Sequence, residues 1–235
     1  MSSDILIAPS ILSADFRKLE VEVKAAADAG ADMMHCDIMD GVFVPNISYG
    51  PMIVDWVKKC SPVPLDVHLM IVDPIRYITQ FRDAGADIIT VHAEACPDLG
   101  AAIAAIEASG AQVGVSVNPD KPLDLFMPYL SKIDMVLIMS VYAGFGGQKF
   151  IPESIEKVRA VRAEAMRIGH DTLAVEIDGG INAETAVSCG EAGVDVFVAG
   201  SYVFGAPDYS ERINAVRRAA ALGRSIARTG SAGSR

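Results

Sequence analysis

Short apolar runs alternate along the chain with longer segments whose apolar residues recur at helical spacing. The short runs are Ile5–Pro9, Asp32–Asp37, Leu65–Met70, Asp87–His92, Gln112–Val117, Ile133–Met139, Leu173–Asp178 and Val194–Gly200. They are rich in Val, Ile, Leu and Met and lack polar alternation, the pattern of parallel strands buried on both faces. Segments such as Phe16–Ala29 and Glu153–Ile168 carry the helical period between them. The second opens at Pro152-Glu153-Ser154, where an acidic residue suits a helix N-terminus. A short motif also repeats. Asp28-Ala29-Gly30-Ala31-Asp32 recurs as Asp83-Ala84-Gly85-Ala86-Asp87, and more loosely as Glu191-Ala192-Gly193-Val194-Asp195 and Ser109-Gly110-Ala111. Each Gly falls where a helix should end, because only Gly takes a left-handed cap without strain.

Eight strand-helix units in 235 residues predict an α/β fold, a single closed (β/α)8 barrel of the TIM type. An open doubly wound sheet usually carries fewer units and a Gly-rich fingerprint after its first strand. Here the first strand ends in Ala8-Pro9-Ser10. No linker interrupts the pattern, so residues 1–223 are expected to form one catalytic domain. The small, polar segment 224–235 is expected to fray.

With 51% hydrophobic residues the chain has ample material for a core, which excludes a disordered protein. The longest uncharged stretches, Gly41–Val54 and Met135–Gln148, are 14 residues each, short of the ~20 a membrane span needs. Met1-Ser2-Ser3-Asp4 does not resemble the basic start of a secretory signal. A net charge of −10 argues against nucleic acid and anionic lipid as main partners. It leaves a small anionic substrate open, since such a ligand meets a local field. Cys36, Cys60, Cys96 and Cys189 are scattered with no Cys-x-x-Cys, which argues against a disulfide framework or a thiolate zinc site. A reducing cytoplasm is the expected compartment.

In such a barrel function gathers at the C-terminal ends of the strands. The polar residues there are Ser10, His35 and Asp37, Asp66 and His68, His92, Asn118, Asp178 and Ser201. His35 and Asp37 lie two apart on a strand and share a face. If that face is the barrel interior they meet His68 from the next strand, and Asp178 completes a set of two imidazoles and two carboxylates. Such a set suits zinc, manganese or iron. His92 has no partner of the right type two residues away and is read as structural or as backing the ligands. His170 falls on the opposite rim and is expected to be solvated. Three glycine-rich turns follow the last strands: Gly144-Phe145-Gly146-Gly147, Gly179-Gly180 and Gly200-Ser201. Their backbone N–H groups can converge on a phosphate. No Gly-Lys-Ser/Thr accompanies them, so nucleotide triphosphate hydrolysis is not expected, and Lys149 is read as a solvated charge. Met39, Met70 and Met139 either fill the core or form an apolar lid that keeps water from the reacting carbons.

From Ile5 to about Asp208 the chain resembles the ribulose-phosphate 3-epimerase family. The runs that carry the resemblance are Ile7 to Phe16, Asp37 to Asn46, Leu65 to Met70, Val91 to Ala95, Gly144 to Pro152, Glu176 to Ile181 and Ala199 to Ser201. The resemblance implies an isomerase that interconverts D-ribulose 5-phosphate and D-xylulose 5-phosphate by two-base proton transfer at C3, through an enediolate, as in the pentose phosphate pathway. It implies one divalent metal ion per subunit, zinc foremost and manganese, iron or cobalt as alternatives, no organic cofactor, and a homo-oligomer, dimer or hexamer. By the same resemblance His35, Asp37, His68 and Asp178 bind the metal, Asp37 removes a proton and Asp178 returns one. Ser10, His68, Asp178, Gly144, Phe145, Gly146, Gly147, Gly179, Gly180, Gly200 and Ser201 would hold the substrate.

One departure stands out. The sixth-strand loop reads Ser140-Val141-Tyr142-Ala143-Gly144, where the family usually has Asn-Pro before the Gly. Loss of the Pro frees the loop and places a bulky ring near the phosphate end. A 3-epimerase of another ketose phosphate, such as D-allulose 6-phosphate, is therefore the alternative. Related decarboxylase and aldolase barrels carry a Lys two residues after the second-strand Asp, and Met39 occupies that place here. A barrel that had lost catalysis would lack an acid or a metal ligand, and all four candidates are present.

Overall fold

A computed structural model describes residues 5–232, with side chains described as far as residue 229. Met1 to Asp4 lie outside the described residues. The eight apolar runs become one parallel sheet: β1 (Leu6–Ala8), β2 (Met34–Met39), β3 (Leu65–Met70), β4 (Ile88–His92), β5 (Gln112–Val117), β6 (Met135–Met139), β7 (Ala174–Asp178) and β8 (Val196–Val198). Their order is β1-β8-β7-β6-β5-β4-β3-β2. The two ends then meet. Ser10 bridges His35, and the N–H of Asp32 donates to the Ile7 carbonyl at 2.9 Å. The sheet is thus the expected barrel. Every residue of β2, β3, β4, β6 and β8 is buried, which is why these strands show no polar alternation.

The helices are α1 (Leu19–Asp28), α2 (Pro51–Cys60), α3 (Ile78–Asp83), α4 (Leu99–Ser109), α5 (Ser154–Ile168), α6 (Thr185–Ala192), α7 (Ser201–Phe204) and α8 (Tyr209–Ala232). The count of eight strand-helix units needs one correction. Between β5 and β6 the chain makes only two short 3₁₀ stretches, Leu123–Leu125 and Met127–Lys132. Pro122 and Pro128 each remove a backbone donor there, so no α-helix can run through. The expected tail needs another. Residues 224–232 continue α8, and Arg224 in that stretch donates to the Val194 carbonyl and the Asp195 carboxylate. Residues 233–235 lie outside the described residues. No helix among the described residues is long and apolar enough to cross a membrane.

The repeated motif has a second role beyond its glycine cap. Gly30, Gly85, Gly110 and Gly193 all have positive φ, as the caps require. The Asp that closes the motif then clamps the strand beside it. Asp32 accepts from Ile7 N, Asp87 from Leu65 N and Asp195 from Val175 N, at 2.8 to 3.0 Å. Asp134 does the same for Val113 N at 2.8 Å without the preceding Gly-Ala. Each of these residues also donates its own N–H to the same neighbour's carbonyl. One Asp thus pins each odd strand to the even strand after it. All four stand at the N-terminal rim.

Most of the core lies between the sheet and the helices. Inside the barrel a separate apolar floor is built from Ala8, Met33, Ile88, Met135, Val196 and Val198. Above that floor the interior turns polar, and the functional residues begin there.

Candidate active site

Side chains two apart on a strand share a face, so each strand lifts a column of residues through the barrel. From β2 come His35, Asp37 and Met39, from β3 Asp66, His68 and Met70, and from β7 Glu176 and Asp178. The register sets His35 beside Asp66 and Asp37 beside His68. A lower tier of His35, Asp66 and Glu176 and an upper set of His35, Asp37, His68 and Asp178 result. In each group the candidate ligand atoms lie within 4.8 Å of one another.

Asp37 is the hub. Its Oδ1 lies 3.2 Å from His35 Nε2 and 3.1 Å from His68 Nδ1, and its Oδ2 accepts from Ser10 Oγ at 2.5 Å. Burial alone would raise its carboxyl, but the charge and hydrogen bond of His35, then those of His68, hold it well below the usual carboxylate range. Asp178 goes the other way. Burial, then the nearby charge of Asp37, pushes its carboxyl up to about 7. Glu176 is likewise raised well above the usual carboxylate range, by burial and by Asp66. His35 is opposed by burial, yet the charges of Asp37 and Asp66 raise it well above an ordinary imidazole. Two carboxyls at one cleft with affinities driven apart are the arrangement from which a base and an acid are made.

A cleft of about 420 Å³ opens above this cluster. Asp37 and Asp178 line its floor with Ser10, while His35 and His68 sit fully buried behind them. Met39, Met70 and Met139 line the wall, so they are both core residues and part of the cavity surface, and neither earlier reading excludes the other. The three glycine-rich turns, with Phe145, form the rim. Gly179 and Gly180 have positive φ, and a Cβ on Gly180 would fall 2.6 Å from Phe150 N. No other residue fits that turn without moving the loop. Lys149, read from the sequence as a solvated charge, is exposed but lines the same cleft. Tyr142 stands at its mouth, half exposed.

The structure therefore brings together every residue picked out for the site. It also adds Glu176, which the sequence reading passed over, and gives a place to Asp66, noted there only as a polar strand-end residue. Asp66 and Glu176 occupy the lower tier, and each lies two residues before a candidate ligand, a signal of the same kind that singled out His35 and Asp37. His92 does have a carboxylate two residues on: its Nδ1 lies 3.3 Å from Glu94 Oε1. Its Nε2 lies 2.9 Å from His68 Nε2. Burial lowers His92 to about 4, while Glu94, raised by burial, is brought down to about 2 by its hydrogen bonds with His92 and Asn118. The Oδ1 of Asn118 in turn accepts from Ala143 N in the sixth-strand loop at 2.9 Å, a bond that a Pro at 143 could not make. His170 is a correction. It is half-buried and its Nε2 donates to the Ile133 carbonyl at 2.9 Å, so it ties the end of α5 to the start of β6.

The donor set fits a divalent transition ion: two imidazoles and two carboxylates that converge, all buried but the half-buried Asp178. A parallel eight-stranded barrel with such a cluster at its strand C-termini, under a glycine-rimmed cleft, defines a barrel enzyme class built to handle small anionic substrates. The model of the ribulose-phosphate 3 epimerase family matches residues 6–204. The ribulose-phosphate 3-epimerase of Bacillus subtilis is 48% identical over 213 residues, 91% of this chain and 98% of that protein. That of Synechocystis is 49% identical over 92% of this chain and 95% of its own length. The chloroplastic ribulose-5-phosphate-3-epimerase of Arabidopsis thaliana is 46% identical over 92% of this chain. The chain belongs to the ribulose-phosphate 3-epimerase family. Among solved structures, 3-hexulose-6-phosphate synthase from Salmonella typhimurium has a TM-score of 0.71 at 19% identity, over 92% of this chain and 98% of that one. Orotidine 5'-phosphate decarboxylase from Pyrococcus horikoshii scores 0.63 at 16% identity, over 94% of this chain and 99% of that one. These last two likenesses concern the fold alone.

Proposed function

We propose that this protein interconverts D-ribulose 5-phosphate and D-xylulose 5-phosphate, one carboxylate removing the proton from one face of C3 and a second delivering another proton to the opposite face. The observation that carries the reading is the pair Asp37 and Asp178. They face one cleft, and one is held ionised while the other keeps its proton up to about pH 7. Inverting a carbon needs a base on one face and an acid on the other. The strands that supply them, β2 and β7, stand three apart around the ring, so the two side chains can flank a substrate.

Asp37 takes the proton, and its hydrogen bond from Ser10 orients the carboxylate toward the cleft. Asp178 returns a proton to the opposite face. A proton beside a ketone is weakly acidic, and a divalent ion held by His35, Asp37, His68 and Asp178 would supply Lewis-acid stabilisation of the negative charge that develops on the substrate oxygens. Zinc is the ion we favour. Met39, Met70 and Met139 keep water from the reacting carbon. The turns at Gly144 to Gly147, Gly179-Gly180 and Gly200-Ser201 take the phosphate with backbone N–H groups. Positioned acid-base groups add ~10²–10⁴-fold each, so Asp37→Asn and Asp178→Asn should each lower the rate by about that factor.

The test is to incubate the zinc-loaded protein with D-ribulose 5-phosphate in deuterated water and follow C3 by NMR. New xylulose 5-phosphate carrying deuterium at C3 is expected. Neither exchange nor product, together with turnover of a six-carbon ketose phosphate, would overturn the five-carbon reading and point to Tyr142 at the cleft mouth.

A homo-oligomer in a reducing cytoplasm belongs to the same proposal. Val42, Ile47, Met52 and Trp56 are exposed around the β2–α2 connection, which supports self-association. All four cysteines are unpaired, which supports a reducing compartment. Sedimentation analysis reads the first point.

A further inference from the structure

Side-chain amides hold the carbonyls of the loop between β6 and α5. Gln148 Nε2 donates to the Tyr142 carbonyl at 2.6 Å and to the Phe145 carbonyl at 2.8 Å. Asn46 Nδ2 donates to the Gly144 carbonyl at 2.9 Å, from 98 residues earlier in the chain. Carbonyls only accept, so each amide must turn its nitrogen to them, and Gln148 uses both of its hydrogens. Asn46 stands on a firm arm, the β2–α2 connection. There Asp40 accepts from Val42 N, Phe43 N and Val72 N, all at 2.8 Å, and bridges Ile47. Ser48 ties the far end back to β2, donating to the Asp37 carbonyl at 2.6 Å and accepting from Met39 N at 3.0 Å. The loop rests so closely on this arm that a Cβ on Gly144 would fall 3.2 Å from Val44 Cβ.

The donors of the same loop are treated differently. Ala143 N donates to Asn118 Oδ1 at 2.9 Å. Phe145, Gly146 and Gly147 line the cleft, and their N–H groups meet no acceptor among the described residues. In a planar trans peptide the carbonyl and the N–H that follows it point in opposite directions. The Tyr142–Ala143 peptide shows this, held by Gln148 at its carbonyl and by Asn118 at its N–H. Holding the Gly144 carbonyl therefore sets the direction of the Phe145 N–H, and holding the Phe145 carbonyl sets that of the Gly146 N–H. Each of these two peptides has a glycine on one side, and glycine lets a peptide turn over at little cost. A peptide turned over would set an oxygen, not an N–H, against an anion.

We propose that Asn46 and Gln148 are positioning residues that keep the Gly144–Phe145 and Phe145–Gly146 peptides from turning over, and so reserve the N–H groups of Phe145 and Gly146 for the substrate phosphate. This rests on the phosphate reading above. The two side chains act through the backbone they hold. Their contribution is preorganisation: the loop meets the anion with its donors already set, and little ordering remains to be done on binding. Asn46 adds a second link, since it joins the loop to the arm that follows the β2 residues of the site.

The experiment is NMR of these amides with inorganic phosphate as the probe. The sequence holds a single Gly-Phe peptide, so ¹³C-carbonyl glycine with ¹⁵N-phenylalanine reports Phe145 alone. The reverse labelling reports only Gly146 and Gly205, and Gly205 does not line the cleft. In wild type, phosphate should move Phe145 and Gly146 and leave Gly205 in place. Asn46→Ala and Gln148→Met should each bind phosphate ~10-fold more weakly, the scale of one hydrogen bond to a charged group. KM for D-ribulose 5-phosphate should rise by a similar factor, with the loss on KM more than on kcat, because the phosphate is remote from the reacting carbon. Variants that are folded by circular dichroism and keep wild-type phosphate affinity and KM overturn the proposal, as does a loss of kcat at unchanged KM. Phosphate that binds wild type without moving Phe145 or Gly146 overturns the phosphate reading itself, and this proposal with it.

Discussion

Asp178 and His35 tie the chemistry of the cleft to pH through opposite charges. The Asp178 carboxyl is raised from 3.8 to about 7, first by burial and then by Asp37. A folded state that keeps a proton longer than the unfolded chain loses stability as pH rises between those two values. Asp178 therefore destabilises the metal-free protein progressively from about pH 4 to about pH 7. Thermal melts of wild type and Asp178→Asn should show this, with the variant gaining most on wild type near neutral pH. A bound ion needs His35 as a neutral ligand, while the charges of Asp37 and Asp66 hold a proton on it, so binding releases a proton. Zinc affinity should accordingly rise with pH through neutrality, read by calorimetry in buffers of different ionisation enthalpy. Affinity independent of pH there would remove His35 from the ligand set. The upper tier was legible in the chain because His35 with Asp37, and the strand-end positions of His68 and Asp178, follow from period two and barrel topology. Glu94 was not. It lies past the end of β4, in a turn, where strand periodicity no longer says which way a side chain points.

At the scale of elements, the register of the sheet sets the site and the glycine turns close it. β3 and β5 begin and end where the apolar runs do, because both are continuous and, apart from the exposed Gln112, buried. β8 is shorter than its run, since Ala199 and Gly200 already turn into α7. The missing helix between β5 and β6 was written in Pro122 and Pro128, but the expectation of one helix per strand masked it. Where a turn must bring backbone to the cleft, only glycine serves. At Gly180, φ is +65° and a Cβ would fall 2.6 Å from Phe150 N and 2.9 Å from its Cα. Gly180→Ala must push the turn away from the sixth-strand loop and misplace the backbone donors proposed for the phosphate. KM for the sugar phosphate should rise by ten-fold or more, on the order of 1.4 kcal/mol, with a smaller fall in kcat. A fall in kcat at constant KM would instead place the phosphate elsewhere on the rim.

Over the whole molecule the two rims do different work. The C-terminal rim holds titratable groups in strained balance, while the N-terminal rim ties the strands together. Four Asp residues, Asp32, Asp87, Asp134 and Asp195, each clamp the adjacent strand. They are not equal. Asp195 is buried and also receives Arg162 from α5 and Arg224 from α8, so sheet and two helices meet on one carboxylate. Arg162 reaches the Gly193 and Leu173 carbonyls from the same place, and its side chain is only 14% exposed. Asp134 is exposed, and its side chain bonds Val113 N. Asp195→Ala removes the carboxylate from a buried guanidinium, for which losses of about 3–5 kcal/mol are typical. Asp134→Ala removes one hydrogen bond, for which about 1 kcal/mol is typical. Denaturant melts should separate the two variants by that difference. Both should retain wild-type kcat under conditions where they are folded, because neither residue touches the cleft. If Asp195→Ala instead lowered kcat at full occupancy of the folded state, the rims would be coupled through the strands. The barrel would then be a single mechanical unit and not a stable base carrying a separate site.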